Sequence, residues 1–212
     1  MVVAAGNDGR DNSAGTNGYG TISAPANDPY VITVGAMKSM GTPDRTDDLI
    51  ATYSSKGPTA IDHIAKPDLV APGNLVSSFL ANPSSMLATS YPQNIVPVSY
   101  YMTGGTSVPS PYFVLSGTSM AAPAVSGAVA LLLQVQPGLT PNQVKARLMK
   151  TAYKTFPQSS SYTDPVTGIT YIDQYDLFTV GAGYLDIQAA LQSTDVSTGV
   201  ATSPAVQYDP TT

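Results

Sequence analysis

Ser116-Gly117-Thr118-Ser119-Met120-Ala121-Ala122-Pro123, with the small and apolar run 124–133 behind it, decides the reading of this chain. The run reads as a buried helix, and Pro123 fits its first turn, where a missing N–H costs least. Ser119 stands at the helix start among small residues, so a carbonyl group can approach its hydroxyl. Unpaired N–H groups and the positive end of the helix dipole point at any anion formed there. Taken alone, such a Ser is most simply a helix cap. The whole string raises Ser119 to a candidate nucleophile.

Composition bounds the rest. At 212 residues, one domain with a real core is expected. Apolar residues make up 42% and charged residues 11%, with Gly and Pro at 18 each, which describes a loop-rich globular chain. Every acidic side chain is Asp, and His63 is the only imidazole, so acid–base chemistry has few carriers. A net charge of −5 argues against nucleic acid and anionic membrane as partners. The basic cluster Lys145, Arg147, Lys150 and Lys154 reads as a solvated helix face. Without Cys there is no disulfide scaffold and no thiolate metal site. Residues 121–133 are too short and too rich in small side chains to span a bilayer, and no signal peptide is visible.

Outward from the helix, residues 1–5 form an apolar run closed by Gly6-Asn7-Asp8-Gly9, a buried parallel strand ending in a loop. Residues 30–37 read as a second strand. Asp44, Asp47 and Asp48 lie in a polar segment whose spacing does not match a calcium loop, so a solvated loop is expected. Short strands follow at 50–54 and 66–73. Residues 79–114 form a long insertion with strands expected at 95–102 and 112–115. Thr103-Gly104-Gly105-Thr106-Ser107 favours a hairpin between them. Thr140, Pro141 and Gln143 spell a capping box for a helix whose apolar face is Val144, Leu148 and Ala152. Residues 153–176 read as irregular, with Asp173 and Asp176 in a surface loop. A short helix ends near Leu191, and 193–212 is a polar tail expected to fray.

The string Gly117-Thr118-Ser119-Met120-Ala121-Ala122-Pro123 resembles the nucleophile motif of the subtilisin-like serine proteases, or subtilases. Val3-Ala4-Ala5-Gly6-Asn7-Asp8-Gly9 is similar to that family's strand and loop bearing an oxyanion Asn. Residues 31–36, 53–58, 66–73 and 181–191 follow in the family's order, so the resemblance covers 1–192 apart from the insertion. It implies an α/β fold, part of a three-layer sandwich with a mostly parallel sheet whose first strands are missing. It implies Ser119 as nucleophile and Asn7 as oxyanion donor. Ala4, Ala5 and Gly6 would then form one wall of the pocket for the residue before the cut. Met120 becomes an oxidation-prone neighbour. The implied substrate is a peptide or an ester, no cofactor is required, calcium enters only by family analogy with no site identified, and the setting is secreted.

The triad order in subtilases is Asp, His, Ser, and neither the Asp nor the His motif is present. His63, beside Asp62 and near Asp68, does not sit at the family's His position. Three readings stand: a C-terminal portion of a subtilase that needs its other half for full activity; a stand-alone esterase with a recruited base such as His63; and a non-catalytic remnant that binds peptides or a partner. The apolar strand at 1–5 would present an unpaired edge, so self-association or docking of an N-terminal half is expected there.

Overall fold

The computed structural model describes residues 1–104 and 109–207. Its central sheet comprises β1 (Val2–Ala4), β2 (Ile32–Lys38), β3 (Leu49–Ile50) and β4 (Leu69–Pro72). β1 and β4 run parallel to β2, with Ala4 opposite Val34 and Val34 opposite Leu69. β3 adds antiparallel at the end of β2, where Met37 pairs with Ile50. A Val- and Ile-rich run buried on both faces suits the centre of a parallel sheet, and every residue of β2 except Lys38 is buried. The strand expected at 50–54 stops at Ile50. The chain turns there, and Ser54 Oγ accepts from the Ala36 N–H at 3.0 Å.

The insertion is opened and closed by β5 (Val76–Phe79) and β6 (Tyr112–Leu115), which pair antiparallel. Between them lie α1 (Met86–Ser90) and the 3-10 turns Pro92–Asn94 and Val98–Tyr100. The expected strand at 95–102 is therefore a tight turn in its second half. Pro97 breaks the ladder there. Gly105, Thr106 and Ser107 of the expected hairpin lie outside the described residues.

α2 (Thr118–Val135) crosses β1, β2 and β4. Its buried stripe is Ala121, Val125, Ala128 and Leu132, the spacing of one helical face, and it packs on Val34, Ala36, Leu69 and Ala71. At 18 residues and a mean hydropathy of 1.5, α2 meets the length and apolarity of a membrane span; the buried helix expected from the sequence is buried on its sheet-facing stripe only, and Leu131, Leu133 and Val135 are exposed. α3 (Pro141–Thr151) starts with the capping box read from the sequence, Thr140 and Gln143 each bonding the other's backbone. Its basic residues do not form a solvated face. Lys145 and Arg147 are buried, and only Lys150 and Lys154 reach solvent.

Residues 153–176 are more ordered than expected. β7 (Ser159–Thr163) and β8 (Thr170–Gln174) make an antiparallel hairpin. Asp173 is not in a surface loop: it is buried and pairs with Lys56. Asp176 caps α4 (Leu177–Val180), accepting from Phe178 and Thr179. α5 (Ile187–Gln192) closes the core beside α2 and α3. Nor does residue 193 begin a frayed tail. Ser203 N–H bonds Pro29 O, and Val206 N–H bonds the His63 carbonyl; residues 208–212 lie outside the described residues.

The helices α2, α3 and α5 share one face of the sheet. Side chains alternate along β1, so Val2 faces that layer while Val3 and Ala5 turn to Ile22 and Ala26 on the other. The amino ends of β2 and β4 bury a charged cluster of Lys66, Asp68 and Lys145. The carboxyl ends of β1 and β4 lead to Asn7 and Gly73.

Candidate active site

Three chain segments meet at that carboxyl edge. β4 is followed by Gly73, whose carbonyl accepts from the Gly117 N–H at 2.8 Å. A side chain at Gly73 would stand 2.7 Å from Ala36 Cβ and 2.9 Å from Gly117 O. Only glycine lets the strand end and the helix start approach this closely.

Thr118 then ties the helix to the loop after β1. Its N–H donates to Asn7 Oδ1 at 2.9 Å, and its Oγ1 accepts from the Gly6 N–H at 3.2 Å. With Oδ1 committed, the Asn7 side chain is fixed, and its Nδ2 has no hydrogen-bond partner among the described residues. Met120 N–H bonds Gly117 O, whereas the Ser119 N–H, in the first helical turn, also has no partner among the described residues. Such orphan donors are what a helix start offers to an anion.

Gly117 shows that the two free donors share one space. It has φ 152° and ψ 161°, a region that only glycine occupies readily. A Cβ placed on it would lie 3.5 Å from Asn7 Nδ2 and 3.7 Å from Ser119 N. Ser119 and Asn7 are both exposed. The arrangement can bind an oxygen that gains negative charge beside the Ser119 hydroxyl.

The other residues singled out in the sequence are placed less uniformly. Ala4 and Gly6 are half-buried beside Asn7, but the Ala5 side chain is fully buried and turned away, so a pocket wall here would draw on Ala4 and Gly6. Met120 is half-buried. His63 is not brought to Ser119. It precedes β4 at the strand's amino end, whereas Ser119 lies past its carboxyl end, and the strand alone rises about 10 Å. His63 lines a cleft with Pro58 and Phe178. Neither carboxylate considered as its orienter serves it: Asp62 accepts from Thr59, and Asp68 is held by two lysines. The Ser119 hydroxyl makes no hydrogen bond to an imidazole or carboxylate among the described residues.

Asp44 and Asp47 accept from Thr46 and Thr42 in an exposed loop. Asp48 turns inward, where burial raises its carboxyl above the usual range. Among the described residues no group of three or more His, Cys, Asp or Glu side chains converges as a metal site.

Sequence reading missed Tyr53, whose hydroxyl donates to Gly73 O at 2.9 Å and braces the strand end under the site. Nothing in the Tyr53-Ser54-Ser55 string signals that contact, which spans twenty residues. Burial pushes the Tyr53 phenol up to about 12. A phenol raised in the fold contributes stability that is full below pH ~10 and lost as pH climbs through the folded value. Burial raises Tyr19 and Tyr184 as well, so alkaline spectrophotometric titration should show a late-ionising group of tyrosines that loses one member in Tyr53→Phe; an unchanged titration curve would contradict this role.

The chain is similar to known proteins along most of its length. The sequence matches the profile of the subtilase family over residues 1–183. It is 40% identical over 149 residues to the serine protease AprX of Bacillus subtilis, covering 70% of this chain and 29% of that protein. It is 33% identical to the subtilisin-like protease SBT1.7 of Arabidopsis thaliana, covering 77% of this chain and 18% of that one. Fervidolysin from Fervidobacterium pennivorans, a keratinolytic enzyme related to subtilisin, superposes with a TM-score of 0.55 at 27% identity, over 93% of this chain and 23% of its own. The chain thus spans less than a third of the length of these relatives.

Proposed function

This chain belongs to the subtilase family, and from that membership we propose that it carries the nucleophile and oxyanion side of a serine peptidase site. Ser119 Oγ attacks a peptide carbonyl carbon, and the carbonyl oxygen becomes an oxyanion between Asn7 Nδ2 and the Ser119 N–H. Collapse expels the amine, which takes a proton as it leaves, and water then releases the acyl group from Ser119. The observation that supports this is the pair of unpartnered donors around Gly117.

The serine proton needs an acceptor, and the placement of His63 speaks against that imidazole. We assign the base to a segment outside residues 1–212, docked at the outer edge of β1, which pairs only with β2 among the described residues. General-base help is worth roughly 10²–10⁴ in rate, so this chain alone is a slow hydrolase. A secreted setting is part of the same proposal and rests on family resemblance.

A fluorophosphonate probe tests the reading. Mass spectrometry should find slow adduct formation on Ser119 and none in Ser119→Ala. Labelling that persists in Ser119→Ala would assign the reactive hydroxyl to another residue, and its absence from a folded wild-type chain would point instead to a peptide-binding remnant.

A further inference from the structure

Soon after Asn7 the chain enters a polar loop, residues 11–17, in which every residue is exposed. A short ladder against residues 52–55 keeps that loop's freedom from reaching Asn7. Ser55 N–H donates to Gly6 O at 3.0 Å, and Gly9 N–H donates to Tyr53 O at 2.9 Å. Asp8 N–H donates to Ser55 Oγ at 3.0 Å. The last rung before the loop is a side chain, Arg10, whose Nε donates to Thr52 Oγ1 at 2.8 Å.

The β7–β8 hairpin holds the other side of that guanidinium. Tyr162 and Asp164 are two residues apart and so share one face of the strand, and Tyr171 stands opposite Tyr162 in the register. All three are half-buried against the body of the fold, whereas Ser161, Thr163 and Ile172 beside them are exposed. Asp164 Oδ2 accepts from Arg10 Nη1 at 2.9 Å. The guanidinium carbon lies 4.7 Å from the Tyr171 ring centre and 5.6 Å from that of Tyr162. The N–H groups of Val166 and Thr167 hold the Asp164 carboxyl below the usual range, so the pair is charged at neutral pH. A planar cation that stacks on aromatic rings while its fork of N–H groups reaches two partners is a task for Arg that Lys cannot copy.

Thr118 fixes Asn7 Oδ1, but a single hydrogen bond leaves the amide free to turn about it. The direction of Nδ2 then follows the backbone that carries Asn7, and that backbone is set by the ladder. We propose that Arg10 is a positioning residue for the oxyanion donor: by locking the exit of the Asn7 loop onto the hairpin, it keeps Nδ2 beside the Ser119 N–H and makes β7–β8 a working part of the site. The proposal rests on acyl transfer at Ser119.

Two readouts on the full chain test it, both taken well below the melting temperature of every variant: the rate of Ser119 phosphonylation, and the order of the Asn7 side-chain NH₂ group by ¹⁵N relaxation. Arg10→Ala should slow phosphonylation roughly tenfold, within the loss of up to about 10²-fold that a small misplacement causes, and should loosen the Asn7 NH₂ group. Arg10→Lys, which keeps the charge without the fork, and Asp164→Asn should each fall between Arg10→Ala and wild type. In an Asn7→Ala background, Arg10→Ala should bring no further slowing, because the donor it positions is gone. Equal slowing in both backgrounds would make Arg10 a general brace and overturn the proposal. So would wild-type rates in Arg10→Ala, or in both milder variants if Arg10→Ala does not fold. The NH₂ measurement separates the two ideas. A labelled wild type with an unmoved Asn7 NH₂ group in Arg10→Ala removes the positioning role alone; a loosened NH₂ group in a chain that is never labelled removes the acyl-transfer reading alone.

Discussion

Asp68→Asn is expected to bring the chain close to unfolding at neutral pH, with a loss of about 3–5 kcal/mol, the scale for leaving a buried charge without its partner. The wild-type carboxylate is almost wholly buried and serves four donors. Lys66 Nζ lies 2.9 Å from Oδ2 and Lys145 Nζ 3.0 Å from Oδ1, with the Thr33 N–H at 2.7 Å and the Ser203 hydroxyl completing the set. The two ammonium groups also bond the carbonyl of Val31, but carbonyl dipoles do not neutralise them. Total stabilities of 5–15 kcal/mol leave little margin for such a loss. The pH response adds a second signature. Burial already lowers the Lys66 pKa below its ordinary value, and losing Asp68 removes the charge that opposes this fall. A lysine depressed in the fold is more protonated when unfolded, so stability rises with pH between its folded and unfolded values. Urea midpoints of Asp68→Asn should therefore fall far below wild type at pH 7 and recover part of the gap toward pH 10. A midpoint equal to wild type at pH 7 would show that the cluster is not ionised as drawn.

That cluster also shows why parts of the sequence were opaque. The Lys66-Pro67-Asp68-Leu69-Val70-Ala71-Pro72-Gly73 strand was legible from its apolar run and Pro-Gly stop, and the Thr140 cap from local spacing alone. Both depend on neighbours within a few residues. Asp68 instead meets Ser203 across 135 positions, and Lys145 looks like any surface lysine on a polar helix until α3 packs it against the sheet. The same holds for Asp173 and Lys56, whose buried pair forms only after the β7–β8 hairpin folds back. The hairpin itself was missed because Ser159–Thr163 is polar, and its strand alternation carries no apolar signal. Ser119 and Asn7 were singled out differently, because the strings around them resemble the subtilase motifs; the residues alone read as a helix cap and a turn asparagine. What could not be read was Thr118 holding Asn7, a contact spanning 111 residues.

In the proposed mechanism Asn7 carries two tasks, and two substitutions separate them. Its Oδ1 accepts from Thr118 and fixes the loop to α2; its Nδ2 faces the space beside the Ser119 N–H. Asn7→Asp keeps an acceptor for Thr118 but replaces the free donor with an anionic oxygen aimed at the developing negative charge. Asn7→Ala removes both. In subtilisin, a member of the same family, deleting one such donor lowers the rate by about 10²–10³, and that scale is carried over to Ser119 here. The rate constant for phosphonylation of Ser119 should drop by about that factor in Asn7→Ala and by at least as much in Asn7→Asp. Thermal unfolding should shift more in Asn7→Ala, because only there is the Thr118 N–H left without a partner. If Asn7 were merely a structural tie, Asn7→Asp would react like wild type and the two rates would follow the two stabilities. A slow Asn7→Asp with a near-native melting temperature assigns the effect to the Nδ2 position, where a donor is lost and a negative charge gained, because the acceptor for Thr118 is retained.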